Sequence, residues 1–339
     1  MKVLFILKKQ GLYSNYGYNL DGYNVAGSGL YNSALFSSEM LKSELNIDSE
    51  LIIVLDNNEI DKWVTKFRPD VVIIEAIWVT PSKFPVLIAL HPRVIWVVRN
   101  HSALPFLAHQ GNSVKWLLQY ALIGNVLNGH NDQQTRLAFD DLTGVSGVYL
   151  PNYYPTKNAL AKRRYKDRPT INIGCFGAIR QLKNQLIQAV AAIRYANHHG
   201  KNLIFHINTT RVEGGTSVIN NLRETFDNFP QHELREHPWL DRVDFLPLMR
   251  NMDLHMQVSM SETFNMVTAD AVVSGVPVVV SKSIPWVRPE FRASTTNCTD
   301  IINRMHQALK SKRPYDNLVN LRQSSDDAVG AWGNALSGI

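Results

Sequence analysis

Short apolar runs alternate with longer amphipathic segments along the whole chain. The runs are continuous stretches of Val, Ile and Leu without regular polar alternation, which is typical of strands buried on both faces of a parallel sheet. In the first half, this pattern predicts strands at residues 3–7, 51–55, 71–75, 94–98, 125–127 and 148–150. It predicts helices between them at residues 30–41, 59–66, 115–122 and 132–139.

The second half repeats the alternation. It predicts strands at residues 171–176, 203–207, 243–246, 254–258 and 276–280, and helices at 183–195, 218–226, 265–274 and 300–310. We therefore predict an α/β fold of two doubly wound, Rossmann-like domains that face each other across a cleft. The expected boundaries are an N-terminal domain at 1–152, a basic connector at 153–170, a C-terminal domain at 171–318, and a final helix at 319–339 that packs back on the N-terminal domain.

Composition narrows the class of protein. Hydrophobic residues make up 45% and charged residues 19% of the 339 residues, as in an ordinary globular chain, and no apolar stretch is long enough to span a bilayer. The two cysteines, Cys175 and Cys298, form no disulfide framework, so a cytoplasmic location is the default expectation. The histidines lack zinc-site spacing, and we predict no metal. A net charge of +6 favours anionic partners such as nucleotide phosphates, nucleic acid or an acidic membrane.

The segment SETFNMVTADAVVSGVPVVV at 261–280 carries the most specific chemistry. A helix that begins here would offer the backbone amides of Phe264, Asn265 and Met266 to an anionic diphosphate. Glu262 precedes this helix and Asp270 lies eight residues further on, nearly on the same face. The two carboxylates could therefore bind hydroxyls at separate points of one ligand, although helix capping and a solvated helix face are the ordinary alternative.

This segment resembles the donor-binding signature of the retaining GT-B glycosyltransferases of the family-four type. Their pattern is a Glu, seven residues, a second Glu, then Ala and a Gly-x-Pro-Val-Val strand. The chain matches it at Glu262, Phe264, Ala271 and the segment 275–279, and has Asp270 in place of the second Glu. The resemblance implies that Glu262 orients the hydroxyls of the donor sugar and that Asp270 contacts the ribose.

Two further segments resemble the same family. In GAIRQLKN at 177–184, Arg180 and Lys183 would clamp the donor diphosphate, and in VVRNHSALP at 97–105, His101 would approach the sugar. By the same resemblance, Leu246 and Leu248 would lie near the base, in the loop after a strand at 243–246. A surface charge for Arg180 and a loop histidine satisfied by backbone are the structural alternatives.

The segment between the first strand and the first helix has an unusual composition. It ends in a glycine-rich turn, where Gly27 and Gly29 would let the backbone approach the diphosphate or sugar closely. Before that turn, asparagines are interleaved with four tyrosines: Tyr13, Tyr16, Tyr18 and Tyr23. Aromatic faces stack on sugars and unpaired bases, so we interpret this loop as an acceptor platform, with a flap that packs on its own domain as the alternative.

The resemblance thus implies a retaining hexosyltransferase that uses a nucleotide-diphosphate sugar, with UDP-hexose favoured, and we expect it to need neither a metal ion nor a cofactor. A saccharide is the favoured acceptor. The main competing hypothesis is a phage-type DNA glycosyltransferase that modifies hydroxymethylated bases, in which Lys8, Lys9, Arg99, Lys115 and the basic run 157–168 would hold backbone phosphates. Two other hypotheses are an epimerase or phosphorylase with the same two-domain fold, and a non-catalytic module that binds a nucleotide sugar or nucleic acid. The sugar, the acceptor and the oligomeric state do not follow from the sequence.

Overall fold

The structure, a computed structural model, describes residues 1–9, 28–161, 165–311 and 317–339. It divides into two compact units. The first unit comprises Met1–Pro155 together with Ser324–Ile339, and the second comprises Thr156–Gln323. Each unit has its own six-stranded sheet, and every strand pair in both sheets is parallel.

The first unit is a doubly wound α/β domain. Its strands are β1 (Lys2–Lys8), β2 (Asp48–Val54), β3 (Val71–Glu75), β4 (Ile95–Asn100), β5 (Val126–His130) and β6 (Val148–Tyr149), in the order β2-β1-β3-β4-β5-β6. Its helices are α1 (Gly29–Leu45), α2 (Ile60–Phe67), α3 (Phe84–Leu90), α4 (Leu104–Leu107), α5 (Ser113–Tyr120), α6 (Gln133–Thr143) and, from Ser324 onward, α12 (Leu318–Ser337).

Alternate residues of β1 show how this sheet is covered on both faces. Leu4 and Ile6 pack in one core with residues of α2, α3, α5 and α6, whereas Val3 and Phe5 pack in a second core with residues of α1 and α12. Trp332 of α12 lies against Phe5, with 5.7 Å between the ring centroids, and its Nε1 donates to the carbonyl of Pro151 at 2.9 Å. The C-terminal helix is therefore part of the hydrophobic core of the first unit.

The second unit repeats this architecture. Its strands are β7 (Thr170–Gly174), β8 (Asn202–Asn208), β9 (Glu233–His237), β10 (Leu254–Gln257), β11 (Val278–Ser281) and β12 (Arg292–Ala293), in the order β12-β11-β10-β7-β8-β9. Its helices are α7 (Gln185–His198), α8 (Thr216–Asp227), α9 (Arg242–Arg250), α10 (Met266–Val273) and α11 (Cys298–Lys310). From β7 the chain winds outward to β8 and β9, then returns to β10 and winds the other way.

The prediction of a strand at 243–246 was wrong, because these residues lie inside α9. The strand of this region is instead β9, with the sequence ELREH, which contains only one apolar residue. As the edge strand of its sheet, β9 has one neighbour, β8, and its glutamates pair with arginines on the surface. A strand at an edge needs no continuous apolar run, so the hydrophobic pattern missed it.

Candidate functional site

The reversal of strand order in the second unit lies between β7 and β10. In doubly wound sheets, ligands bind at this switch point, outside the carboxyl ends of the strands. The loops that leave these two strands carry Lys183 and Glu262, and Lys183 Nζ donates to Glu262 Oε1 at 2.6 Å. Only 16% of the Lys183 side chain and 10% of the Glu262 side chain are exposed. The fold thus brings together, at the expected crevice, two of the predicted residues that lie 79 positions apart.

Local hydrogen bonds explain why Lys183 reaches Glu262. The single helical turn Gln181–Lys183 ends at Asn184, whose backbone adopts the left-handed conformation with φ 59°. Asn184 Nδ2 donates to the carbonyl of Val258, in the segment after β10, at 3.1 Å. The amide of Met260 donates to the carbonyl of Leu182 at 2.8 Å. These two hydrogen bonds join the segment after β7 to the segment after β10, and they hold the backbone of Lys183 close to that of Glu262.

Helix α10 begins shortly after Glu262, at the same edge of the sheet. Asn265 is its N-cap, with φ 67°, and the Asn265 Oδ1 accepts the amide of Thr268 at 2.7 Å. The carbonyl of Phe264 accepts a hydrogen bond from Trp286 Nε1 at 2.8 Å, which fixes the approach to the helix. Phe264 and Asn265 thus lead directly into Met266, the first residue of α10, and all three stand at the positive end of this helix.

Asp270 is held by a residue that sequence reasoning did not identify. Arg242, in the first turn of α9, places its Nη2 3.3 Å from Asp270 Oδ1. Leu246 and Leu248 lie on the same helix and not in the loop in which they were predicted. Their predicted place beside the base depended on a strand at 243–246, so the structure gives it no support. The loop that follows the actual strand, β9, contains Trp239.

Arg180 takes part in a second ion-pair group at the same edge. Its Nη2 lies 2.5 Å from Glu213 Oε2, and the other oxygen of Glu213 accepts a hydrogen bond from Arg211 Nε. The Arg211 guanidinium lies over the ring of Trp239 at 5.3 Å from its centroid, a cation–π contact. Burial lowers the pKa of Arg180, and Glu213 opposes this shift. Glu213 and Arg211, like Trp239, were not predicted.

The loops after β7, β8 and β9 are joined by one buried side chain. Asn208 Oδ1 accepts the amide of Gly177 at 3.0 Å, where φ is 121°, and Asn208 Nδ2 donates to the carbonyl of Pro238 at 3.1 Å. The hydroxyl of Thr210 accepts the amide of Trp239 at 2.8 Å. The loops that carry Arg180, Arg211 and Trp239 are therefore joined to one another by hydrogen bonds.

In the first unit, a buried polar network occupies the carboxyl ends of β3 and β4. Arg99 is completely buried, and its Nη1 donates to Glu75 Oε1 at 3.0 Å. Arg99 also donates to the Leu150 carbonyl at 3.0 Å and to Asn152 Oδ1 at 2.9 Å. The other oxygen of Glu75 pairs with His101 Nε2. The DNA hypothesis was wrong to place Arg99 on backbone phosphates, because its guanidinium is completely buried and donates to these protein groups.

The electrostatics of this network favour an ionised acid beside a neutral imidazole. Burial alone would raise the pKa of Glu75, but Arg99 and His101 outweigh it and the pKa is lowered. Burial lowers the pKa of His101, and Arg99 adds to this effect while Glu75 opposes it. His101 therefore presents a neutral ring held by a carboxylate. Glu75 was not predicted, although its position as the one acid at the end of an apolar strand could have indicated it.

The remaining predicted residues divide into two groups. Gly29 is the first residue of α1, and the Ser28 hydroxyl caps this helix by accepting the amide of Tyr31 at 3.0 Å. The second group lies outside the described residues: Gly27, Tyr13, Tyr16, Tyr18 and Tyr23. Within residues 1–9, 28–161, 165–311 and 317–339, no three His, Cys, Asp or Glu side chains are grouped to hold a metal ion. No helix in those same ranges is long and apolar enough to cross a membrane.

Comparison with known proteins yields structural relatives only. No protein-family model and no curated protein sequence matches the chain. Among solved structures, HepE from Anabaena in complex with UDP and glucose is 14% identical, covers 100% of both chains and has a TM-score of 0.66. The N-terminal domain of trehalose-6-phosphate phosphatase from Candida albicans is 12% identical, with 97% of this chain and 93% of that chain covered and a TM-score of 0.65.

A UDP-forming trehalose-phosphate synthase from Burkholderia xenovorans is 11% identical over 83% of this chain and 77% of its own, with a TM-score of 0.61. Identities this low establish the fold and leave the activity open. They confirm the α/β architecture that the alternating pattern predicted. The chain has the GT-B fold, with two Rossmann-like domains of parallel strands.

Proposed function

We propose that the protein is a metal-independent glycosyltransferase that moves a hexose from a nucleoside-diphosphate sugar to an acceptor hydroxyl. The observation that carries this proposal is the Lys183–Glu262 ion pair, which joins the two loops at the switch point of the second sheet. A cation there suits a diphosphate, and a carboxylate beside it suits sugar hydroxyls. The pair would therefore span the bond that breaks between the sugar and the diphosphate.

Three groups would stabilise the negative charge that develops on the leaving diphosphate. Lys183 and Arg180 supply cations, and the N-terminus of α10 supplies backbone amides and the positive end of the helix. Because these groups already lie at one edge of the sheet, the enzyme would need little rearrangement to hold the departing nucleotide. These positive groups support the proposal that the nucleotide departs without a metal ion.

Retention and the nature of the substrates extend the proposal. In the family that the sequence resembles, the leaving phosphate helps to deprotonate the acceptor on the same face of the sugar, and no protein carboxylate acts as nucleophile. UDP is the favoured nucleotide, which agrees with the UDP complex of HepE and with the UDP-forming synthase. A saccharide is the favoured acceptor, and the burial of Arg99 removes one of the cations that the DNA hypothesis used to hold backbone phosphates.

Nucleotide release from a panel of nucleotide sugars tests this proposal. The panel contains UDP-, GDP- and ADP-hexoses, each with no acceptor, with mono- and oligosaccharides, and with DNA that contains hydroxymethylated pyrimidines. We expect release from one UDP-hexose that a saccharide accelerates and that excess chelator leaves unchanged. Absence of release with every donor would contradict the function, and loss of activity in chelator that manganese restores would contradict the metal-free chemistry.

A further inference from the structure

Helix α5 carries aliphatic side chains on the side that faces away from the core. Leu117 and Tyr120 are completely buried, whereas Val114 is 40% exposed and Leu118 is 37% exposed. Leu122, in the turn that follows α5, is 81% exposed. Residues four positions apart lie on the same side of a helix, so Val114 and Leu118 form one exposed apolar stripe, which Leu122 continues at the same spacing.

Helix α3 adds a second pair of exposed aliphatic residues on the same face of the first sheet. Val86 is 52% exposed and Leu90, four positions later, is 56% exposed. Phe84 of α3 packs edge-on against Tyr120 of α5, with 5.4 Å between the ring centroids, and both rings belong to one core. The two helices are therefore neighbours. Exposed apolar residues on adjacent helices indicate an interaction surface, whereas single exposed ones are ordinary.

The charges around these residues are mainly positive. The sequence has no Asp or Glu from position 76 to 131, although 29 of its 339 residues are acidic. Lys115 on α5 and Arg93 after α3 are both exposed. Asp61 of α2 reaches this segment, but it is paired with His91 at 2.8 Å. An apolar surface with cations beside it complements an anionic lipid bilayer, which takes up aliphatic side chains and attracts positive charge.

The type of exposed residue favours lipid over a protein partner. Protein interfaces draw most of their binding energy from Trp, Tyr and Arg, whereas Leu and Val are under-represented among the dominant residues. The aromatic residues of α5 belong to the interior, because Tyr120 is buried and Trp116 packs against the same core. Helix α5 therefore presents aliphatic side chains and Lys115 to its surroundings, and a fluid acyl boundary accommodates these without a matching pocket.

We propose that the outer face of α3 and α5 docks the protein on the surface of an anionic lipid bilayer. The exposed aliphatic side chains enter the boundary between headgroups and acyl chains, and Lys115 and Arg93 lie at the headgroup phosphates. Apolar contact and charge act together, so neutral lipid alone should bind the protein weakly. The inference does not rest on the proposed function, since it concerns a surface of the first unit and no step of sugar transfer.

Co-flotation of the full chain with lipid vesicles tests this proposal. The vesicles contain phosphatidylcholine alone or phosphatidylcholine with about one-third phosphatidylglycerol. The variants are Leu122→Ser, the double variant Leu118→Ser/Leu122→Ser, and Lys115→Gln, and thermal unfolding establishes that each is folded. The matched control is Val243→Ser on α9 of the second unit, because Val243 is 83% exposed and therefore resembles Leu122.

We expect the wild-type protein and the control to float with the anionic vesicles, and high salt to weaken this binding. The double variant should lower the partition coefficient by about tenfold or more, and Lys115→Gln by about fivefold. A wild-type protein that stays unbound overturns the proposal, as does a double variant that floats as well as wild type. If light scattering shows a dimer that the double variant dissociates, the face joins two copies of the chain and the proposal is likewise overturned.

Discussion

Acidification should destabilise the second unit through two buried neutral histidines. His206 Nε2 donates to Asn172 Oδ1 at 3.1 Å, because an amide oxygen can only accept, and His206 Nδ1 lies 2.9 Å from His237 Nε2. Burial lowers the pKa of His206 to about 4, and the nearby His237 adds to this effect. Burial also lowers the pKa of His255, which stacks on Phe176, to about 3.

The direction and size of the effect follow from these values. A histidine with a depressed pKa in the folded state binds its proton more tightly when unfolded, at the ordinary value of 6.5. The stability it contributes is complete above pH 6.5 and is lost as the pH falls toward the folded value. One pKa unit corresponds to about 1.4 kcal/mol, so each of the two residues should cost about 2 kcal/mol between pH 6.5 and pH 5. Together they remove about 4 kcal/mol from a free energy of unfolding of about 5–15 kcal/mol.

Amide hydrogen exchange of β8 and β10 measures this loss within the second unit, after correction for the intrinsic exchange rate at each pH. The variant His206→Gln should lose less stability on acidification than the wild-type protein, because one group whose pKa is lowered in the folded state is gone. The control Arg194→Gln, an exposed substitution on α7 that removes no histidine, should leave the pH dependence unchanged. Equal opening free energies at pH 7 and pH 5 in the wild-type protein would refute the reasoning.

Two further substitutions separate the roles of the buried acids. Glu262→Gln should reduce sugar transfer by about a hundredfold or more while UDP binding stays nearly intact, because in the proposed function Glu262 contacts the sugar and not the nucleotide. Wild-type turnover in steady-state kinetics would remove Glu262 from the site. Glu75→Gln should lower the free energy of unfolding in urea by about 3–5 kcal/mol, because it leaves the Arg99 guanidinium buried without an ionised partner. A change of less than about 1 kcal/mol would show that the remaining acceptors around Arg99 suffice.

The hydrophobic pattern predicted the interior strands because strands buried on both faces must be apolar throughout. Val71–Glu75 agrees with the prediction to the residue, and the helix at 300–310 begins two residues earlier, at Cys298. The edge strand β9 was missed for the opposite reason, since charged residues are compatible with its exposed position. The helix α3 at Phe84–Leu90 was not predicted, although the strand that follows it was placed at 94–98, close to the observed Ile95–Asn100.

The candidate site residues that the sequence singled out belong to contiguous signatures, and their roles stay predictions. Glu262 and Asp270 share one segment, and the upstream segment supplied Lys183, which the fold places beside Glu262. Glu75 and Arg242 belong to no such segment. Their partners are His101 and Asp270, and each pairing depends on which helix or strand lies next to which in space. A single sequence does not encode that adjacency in any local pattern.

The central claim is that the edge of the second sheet at Lys183 and Glu262 binds the diphosphate of a nucleotide-sugar donor. Its most direct test is calorimetric binding of UDP and of uridine to the wild-type protein, to Lys183→Ala, and to Lys310→Ala as an exposed lysine control in the same unit. We predict that Lys183→Ala weakens UDP binding by about tenfold or more and leaves uridine binding within about twofold, because in the proposed function Lys183 contacts the diphosphate, which uridine lacks. An equal loss for both ligands, or undiminished UDP binding, would contradict the account.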